Sequence, residues 1–237
     1  MFAIYKKEMR NYFTTPLGYV FMAVFLAVSG FLFAFCTLQS QTSDISAFLQ
    51  LMILGYTVIV PVLTMRTFAE ERRTRTEQLL LTAPVSIWGM VFAKFLAAFS
   101  MFAGTVLVSC LYYLPLFKYA GEDGPNVPKA FGCLIAMLLI GMCFVSIGIF
   151  VSTLTESAVT ASIGTIAILL VLALAGFFNG LIDSYLIRSV LNWISIYARY
   201  TYFTYGIFDI GATVYYLSIT AIFLFLSVRV YESRRYA

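Results

Sequence analysis

The residues best equipped for chemistry in this chain lie between Arg66 and Val85, in the stretch RTFAEERRTRTEQLLLTAPV. Ten of its first twelve residues are polar or charged, in a protein with only 11% charged residues. Their types suit electrostatic recognition of a soluble partner, where charge arrangement sets orientation and specificity. Catalysis has little to work with. There is no histidine, so the commonest general base and metal ligand is missing, and no GxxxxGK[ST] phosphate loop occurs. Cys36, Cys110, Cys133 and Cys143 all fall in apolar runs and are expected to be small packing residues, not a disulfide or metal framework.

Within the island, Glu70 and Glu71 can pair with Arg73 or Arg75 at helical spacing. Such pairs are worth only ~0.3–0.5 kcal/mol each, so stability is a poor account of the cluster. Thr74 and Glu77 form an S/T-x-x-E capping box directly ahead of Leu79, Leu80 and Leu81. The box predicts a short helix near Arg75–Thr82, stopped by Pro84. A plain solvated loop fixing topology is the alternative, but such a loop has no need of a capped helix ending in three leucines.

The elements that must position this island are membrane spans. The chain has 237 residues, 62% of them hydrophobic, and a mean hydropathy of +0.93. Six apolar runs, near 17–38, 47–65, 88–116, 130–152, 158–178 and 209–229, are each long enough to cross a ~30 Å hydrocarbon core. The fold class is therefore an all-α integral membrane protein with six transmembrane helices and no room for a separate soluble domain. The first run is too long for a cleaved signal peptide. With both termini inside, Lys6, Lys7, Arg10, Arg66, Arg72, Arg73, Arg75, Lys94, Arg229, Arg234 and Arg235 face the cytoplasm. Lys118, Lys129, Arg188 and Arg199 face outward, a strong positive-inside bias. The net charge of +4 is then a lipid-facing feature and implies no nucleic acid.

Residues 1–15 interleave Phe2, Ile4, Tyr5, Met9, Tyr12 and Phe13 with Lys6, Lys7, Glu8 and Arg10. This suits an interfacial amphipathic helix broken by Pro16, or else a charged segment that only orients the chain. Ser86 is expected to cap span three, and Lys94 to snorkel back to the surface. No Asp, Glu, Lys or Arg falls in the middle of a span, which argues against proton coupling and suggests that any energy arrives through the island at 66–86. On the outer side, 179–208 runs into an aromatic-rich stretch. It is either a re-entrant pair of short helices capping a pathway, with Tyr197, Arg199, Tyr202, Phe203 and Asp209 as gate candidates, or an interfacial aromatic belt. Gly148/Ser152, Ala158/Ser162 and Ala161/Thr165 are spaced to let spans four and five pack closely. Lys118–Pro128 reads as an exposed turn.

The ordered set of motifs resembles the permease subunit of ABC-2 type exporters, particularly the gliding-motility-type (GldF-like) branch. The resemblance rests on Lys6-Lys7-Glu8-Met9-Arg10-Asn11-Tyr12-Phe13 with Pro16. It continues in Phe68-Ala69-Glu70-Glu71-Arg72-Arg73, and in Thr76-Glu77-Gln78-Leu79-Leu80-Leu81-Thr82-Ala83-Pro84-Val85 followed by Lys94. Ser152–Ser157, Phe203, Gly206, Asp209, Val214–Ser218, Glu232, Arg234 and Arg235 complete it. Arg75 stands where the family usually has glycine, and is expected to be right-handed as the capping box requires. The family's outer histidine has no counterpart here.

The resemblance implies a permease that binds no cofactor itself and carries no enzyme activity of its own. A separate ABC-type ATP-binding subunit would hold ATP and Mg. The partners would be that subunit, a second permease copy or homologue, and an accessory membrane subunit with an extracytoplasmic domain. The location would be the bacterial plasma (inner) membrane, multi-pass. Docking on a coupling helix would fall to Glu70, Glu71, Arg73, Thr76, Glu77, Leu79 and Leu80. Leu79 and Leu80 would be the apolar anchors, and Glu156 a secondary cytoplasmic contact, or simply a helix-terminus charge. The same coupling could drive export, or mechanical or assembly work with nothing passing through. An intramembrane enzyme is disfavoured, with no histidine and no mid-span carboxylate.

Overall fold

In the computed structural model, residues 1–39, 46–76, 86–119, 126–178, 195–204 and 208–236 are described. Among them every regular element is helical. Helix α1 (Phe2–Thr14) ends at Thr15, which is extended at φ −95° and ψ 152° because Pro16 follows it. Pro16 then opens α2 (Pro16–Phe33), a position where its missing N–H costs nothing. α2 continues through a wide π-turn at Ala34–Leu38. α3 (Ser46–Thr64) contains Pro61 and is followed, after a tight turn, by the short α4 (Ala69–Arg73).

Ser86 caps α5 (Ile87–Ser109), accepting from the Gly89 N–H at 3.2 Å as the sequence predicts. A 3₁₀ stretch, Cys110–Tyr113, leads into α6 (Leu114–Tyr119). Asn126 caps α7 (Val127–Leu154), its side chain accepting from Lys129 N. α8 (Ala158–Phe178), α9 (Ile196–Thr204) and α10 (Ile210–Tyr236) complete the order. Lys118–Pro128 is thus less of a turn than expected: Lys118 and Tyr119 end α6, and Val127 and Pro128 begin α7.

Among the described residues, six stretches are long and apolar enough to cross a membrane: Pro16–Leu38, Ala47–Arg73, Ile87–Leu116, Val127–Leu154, Ala158–Ala175 and Ile210–Arg235. The fourth is the centre of the bundle. It is 72% buried, against 28% for the first, fifth and sixth, and it packs on α3, α5, α8, α9 and α10. The remaining exposed faces carry large apolar side chains such as Phe31, Val171 and Ile222, as a lipid-facing surface must.

Close approach at α7 depends on two glycines. A Cβ at Gly141 would overlap the ring of Phe102 on α5, which is edge-on to Tyr56 at 5.0 Å and to Phe25 at 6.1 Å. A Cβ at Gly148 would overlap the Thr64 side chain. The Gly148/Ser152 pair therefore faces span two, not span five as the spacing suggested. Small residues permit a close neighbour without specifying which one. Span five meets span four elsewhere, with Gly164 against Val151.

Candidate functional site

The charged residues converge at the end of the bundle that carries both α1 and the last turns of α10. Its centre is Lys94, expected to reach the surface and instead 1% exposed. Its Nζ donates to Glu8 Oε1 of α1 at 3.0 Å and to the Thr67 carbonyl at 2.7 Å, and lies 2.9 Å from Glu71 Oε1 of α4. It also sits 4.8 Å over the Phe68 ring. Two of the three donors of the ammonium thus have acceptors, and Glu71 pairs with the charge. Snorkelling fails because α1 and α4 lie across the path to water, and a carboxylate from each compensates the buried charge. Lys7, 63% exposed, adds a second positive charge 3.5 Å from Glu71 Oε1, so two cations face two carboxylates.

The second feature is the junction between α3 and α4, where one hydroxyl holds both helix ends. Ser152 Oγ accepts from the N–H groups of Phe68 and Ala69, at 3.1 Å each, and donates to the Met65 carbonyl at 3.3 Å. It thereby caps the start of α4 from a different helix. The C-terminal carbonyls of α7 are held in turn by arginines. Arg72 Nη1 donates to Leu154 O at 3.0 Å and Arg234 Nη2 to Thr153 O at 2.7 Å. Cationic groups at that end also complement the helix dipole. Arg72 Nη2 reaches Glu156 Oε1 at 3.0 Å, tying α4 to the turn between spans four and five.

Thr74 does not take the capping role predicted for it, and its partner in the box, Glu77, lies outside the described residues. Thr74 closes α4 instead of opening a later helix: its N–H donates to Glu70 O at 2.9 Å and its hydroxyl to the same oxygen at 2.9 Å. Arg75 follows with φ 57°, in the left-handed region, where a helix commonly ends and glycine fits best. The right-handed Arg75 expected from the box is thus overturned, and the S/T-x-x-E pattern marks a stop where a start was expected. Thr76 donates to Glu71 O at 3.3 Å.

Of the residues assigned to docking, Glu70, Arg73 and Thr76 are described on or beside α4, and Arg73 and Thr76 are exposed. Glu71 turns inward to Lys94. Glu77, Leu79 and Leu80 lie outside the described residues, as does most of the predicted helix Arg75–Thr82. Arg66, Ala69, Glu70, Arg73, Glu156 and the following Ser157–Val159 line an open cleft of about 200 Å³.

At the opposite end of the bundle, α9 is packed on α7 and α8. Phe203 is fully buried and its carbonyl accepts from Cys133 Sγ at 3.4 Å. The Arg199 guanidinium stacks on the Tyr215 ring at 4.0 Å. Asp209 begins α10, its carboxylate accepting from Gly211 N at 2.8 Å. Tyr197 and Tyr202 lie on α9, with side chains outside the described set. The gate candidates thus divide among a packed anchor, a stacked cation and a helix cap.

Sequence reasoning missed Glu8, Ser152, Arg72 and Arg234. For Glu8 a signal was present: Tyr5, Glu8, Met9 and Tyr12 share one face of α1 at 3, 4 and 7 residue spacing, and Glu8 and Tyr12 are buried. A lone carboxylate on an apolar stripe implies a buried cation. No such signal marks Ser152, whose partners are backbone groups more than eighty residues away.

A family model described as "ABC-2 family transporter protein" matches residues 37–231, from the end of span one to the last turns of span six. A search of curated proteins found no match. The match covers most of the chain and includes α4, Lys94, Ser152 and Glu156. This multi-pass membrane protein therefore belongs to the ABC-2 family of transporter proteins, whose members are membrane permeases that work with an ABC-type ATP-binding partner.

Proposed function

We propose that this chain is the permease subunit of an export complex. A separate ATP-binding subunit, carrying ATP and Mg, docks on segment 66–86 and drives translocation across a bacterial plasma membrane. Both termini and the charged end face the cytoplasm, in keeping with the Lys and Arg bias. The observation that supports this best is how segment 66–76 is held. It is bonded to span three through Lys94 and to span four through Ser152 and Leu154 O, while Arg66, Glu70, Arg73 and Glu156 stay around an open cleft. A partner loop seated there meets two cations and two carboxylates, and a push on α4 reaches two spans directly. In this reading Glu70, Arg73 and Thr76 touch the ATPase, Leu79 and Leu80 are its apolar anchors, and Glu71 acts through Lys94.

Two copies, or this chain and a homologue, form the pathway. The motifs at 6–13, 68–73 and 76–85 resemble the gliding-motility-type branch, to which we assign the chain. On the outer side, α9, with Phe203 buried and Arg199 stacked, closes the pathway between cycles.

The test is a gentle-detergent purification of the native protein, with co-purifying subunits identified and assayed for ATP hydrolysis. An ATP-binding subunit in equal ratio is expected. Arg73→Glu, Leu79→Asp and Leu80→Asp are each expected to abolish its association while the permease still inserts and folds. Native association in all three variants would refute the docking assignment.

A further inference from the structure

We infer that Lys94 is a positioning residue that locks α4 and α1 into one rigid input arm, so that any movement imposed on α4 is imposed on α1 as well. This rests on the coupling reading above and extends it to an element that lies ahead of the family-matched residues 37–231.

The geometry requires a joint with three members. Lys94 belongs to α5, Glu8 to α1, and Thr67 and Glu71 to the segment that ends in α4. The ammonium donates to Glu8 and to the Thr67 carbonyl and pairs with Glu71 at 2.9 Å, so one buried charge holds all three elements. The joint is sealed, with side-chain exposures of 1% for Lys94, 9% for Glu8 and 14% for Glu71.

Stability does not explain why the joint is ionic. Replacing a whole buried ion cluster by apolar residues of similar volume is often neutral or stabilising, whereas removing one partner is costly. The ionic version supplies a direction and a register between three elements, which an apolar patch would let slide. Further bonds fix α1 to the same two spans that flank the docking segment. The Tyr5 hydroxyl lies 3.2 Å from Ser100 Oγ on α5, and the Tyr12 hydroxyl donates to the Leu63 carbonyl near the end of α3 at 3.4 Å. The flank of α1 exposes Phe2 (77%), stacked on Tyr5, and Phe13 (46%), which suits contact with the bilayer surface. Helix α1 is thus gripped on its protein side at Tyr5, Glu8 and Tyr12, with its apolar flank left to lipid.

Spin labels read this directly. In a background with the four native cysteines replaced, labels at Lys6→Cys and Arg75→Cys report α1 against the end of α4. Labels at Arg75→Cys and Ile210→Cys report α4 against the far end of span six. Distances are measured by electron–electron resonance in the complex with its ATP-binding subunit, with ADP and with a non-hydrolysable ATP analogue. The expected result is a narrow Lys6–Arg75 distance that is the same in both nucleotide states, while the Arg75–Ile210 distance shifts. The triple variant Glu8→Gln, Glu71→Gln, Lys94→Met is expected to broaden the Lys6–Arg75 distance and make it nucleotide-dependent, with the Arg75–Ile210 shift retained.

A Lys6–Arg75 distance that changes with nucleotide in the unaltered joint overturns the inference and leaves the coupling reading standing. That outcome needs no folded triple variant. An Arg75–Ile210 distance indifferent to nucleotide, or the absence of any co-purifying ATP-binding subunit, overturns the coupling reading and the rigid arm with it.

Discussion

Ser152→Ala removes one oxygen and leaves three backbone groups without their partner. Phe68 N and Ala69 N each lose an acceptor at 3.1 Å, and Met65 O loses a donor at 3.3 Å. Phe68 and Ala69 are 0% exposed and Ser152 is 1% exposed, so water cannot replace the hydroxyl without opening the α3–α4 junction. An orphaned buried N–H costs about 1–3 kcal/mol. The two donors share one acceptor and the longer carbonyl bond adds little, so the loss is expected at about 2–4 kcal/mol. The control is Ser146→Ala, on the same helix and equally buried, whose hydroxyl only bonds back to Cys143 O at 2.7 Å. That bond closes within its own turn, so its loss is expected to cost under about 1 kcal/mol. Reversible unfolding in mixed micelles, titrated with SDS and followed by tryptophan fluorescence, compares the two. Amide exchange at Phe68–Arg72 is expected to rise in Ser152→Ala alone. Equal destabilisation by the two substitutions, or unchanged exchange over α4, would refute the claim that this hydroxyl anchors α4 to span four.

Arg75→Gly is expected to stabilise the protein by about 1 kcal/mol in the same titration, since the left-handed φ of 57° costs a side chain what glycine avoids. A loss of stability would mean that the αL conformation does not persist. Gly141→Ala is expected to cost about 1–3 kcal/mol, because the Phe102 ring it would strike is itself held by Tyr56 and Phe25. Lys94→Met is expected to cost about 3–5 kcal/mol by stranding two carboxylates, and adding Glu8→Gln and Glu71→Gln to recover most of that. A triple variant no better than Lys94→Met would show that the cost is packing, not charge. Glu156→Gln is expected to change stability by less than about 1 kcal/mol, since its side chain is 69% exposed and its pair with Arg72 is screened. Any larger effect should then appear in ATPase association.

The amino-acid sequence by itself determined the local features. Six apolar runs became six membrane-length helices, because a backbone in hydrocarbon must satisfy its own hydrogen bonds. Pro16 broke the chain between α1 and α2, and Ser86 capped span three, because each acts within a few residues of itself. The charged island was legible as a local concentration of charge, since so few charged residues occur elsewhere. Only the tertiary structure decided what those residues face. Thr74 offered the same hydroxyl to a helix before it or after it, and the packing of α4 against Ser152 selected the former. Gly148 marked a close approach, and the path of span two set its neighbour. Lys94 had a stem long enough to reach water, and was kept from it because α1, more than eighty residues earlier in the chain, brought Glu8 to meet it. Capping and chain-breaking are short-range forces written in the order of residues, whereas the partner of a buried charge is whichever opposite charge the folded chain brings within about 3 Å.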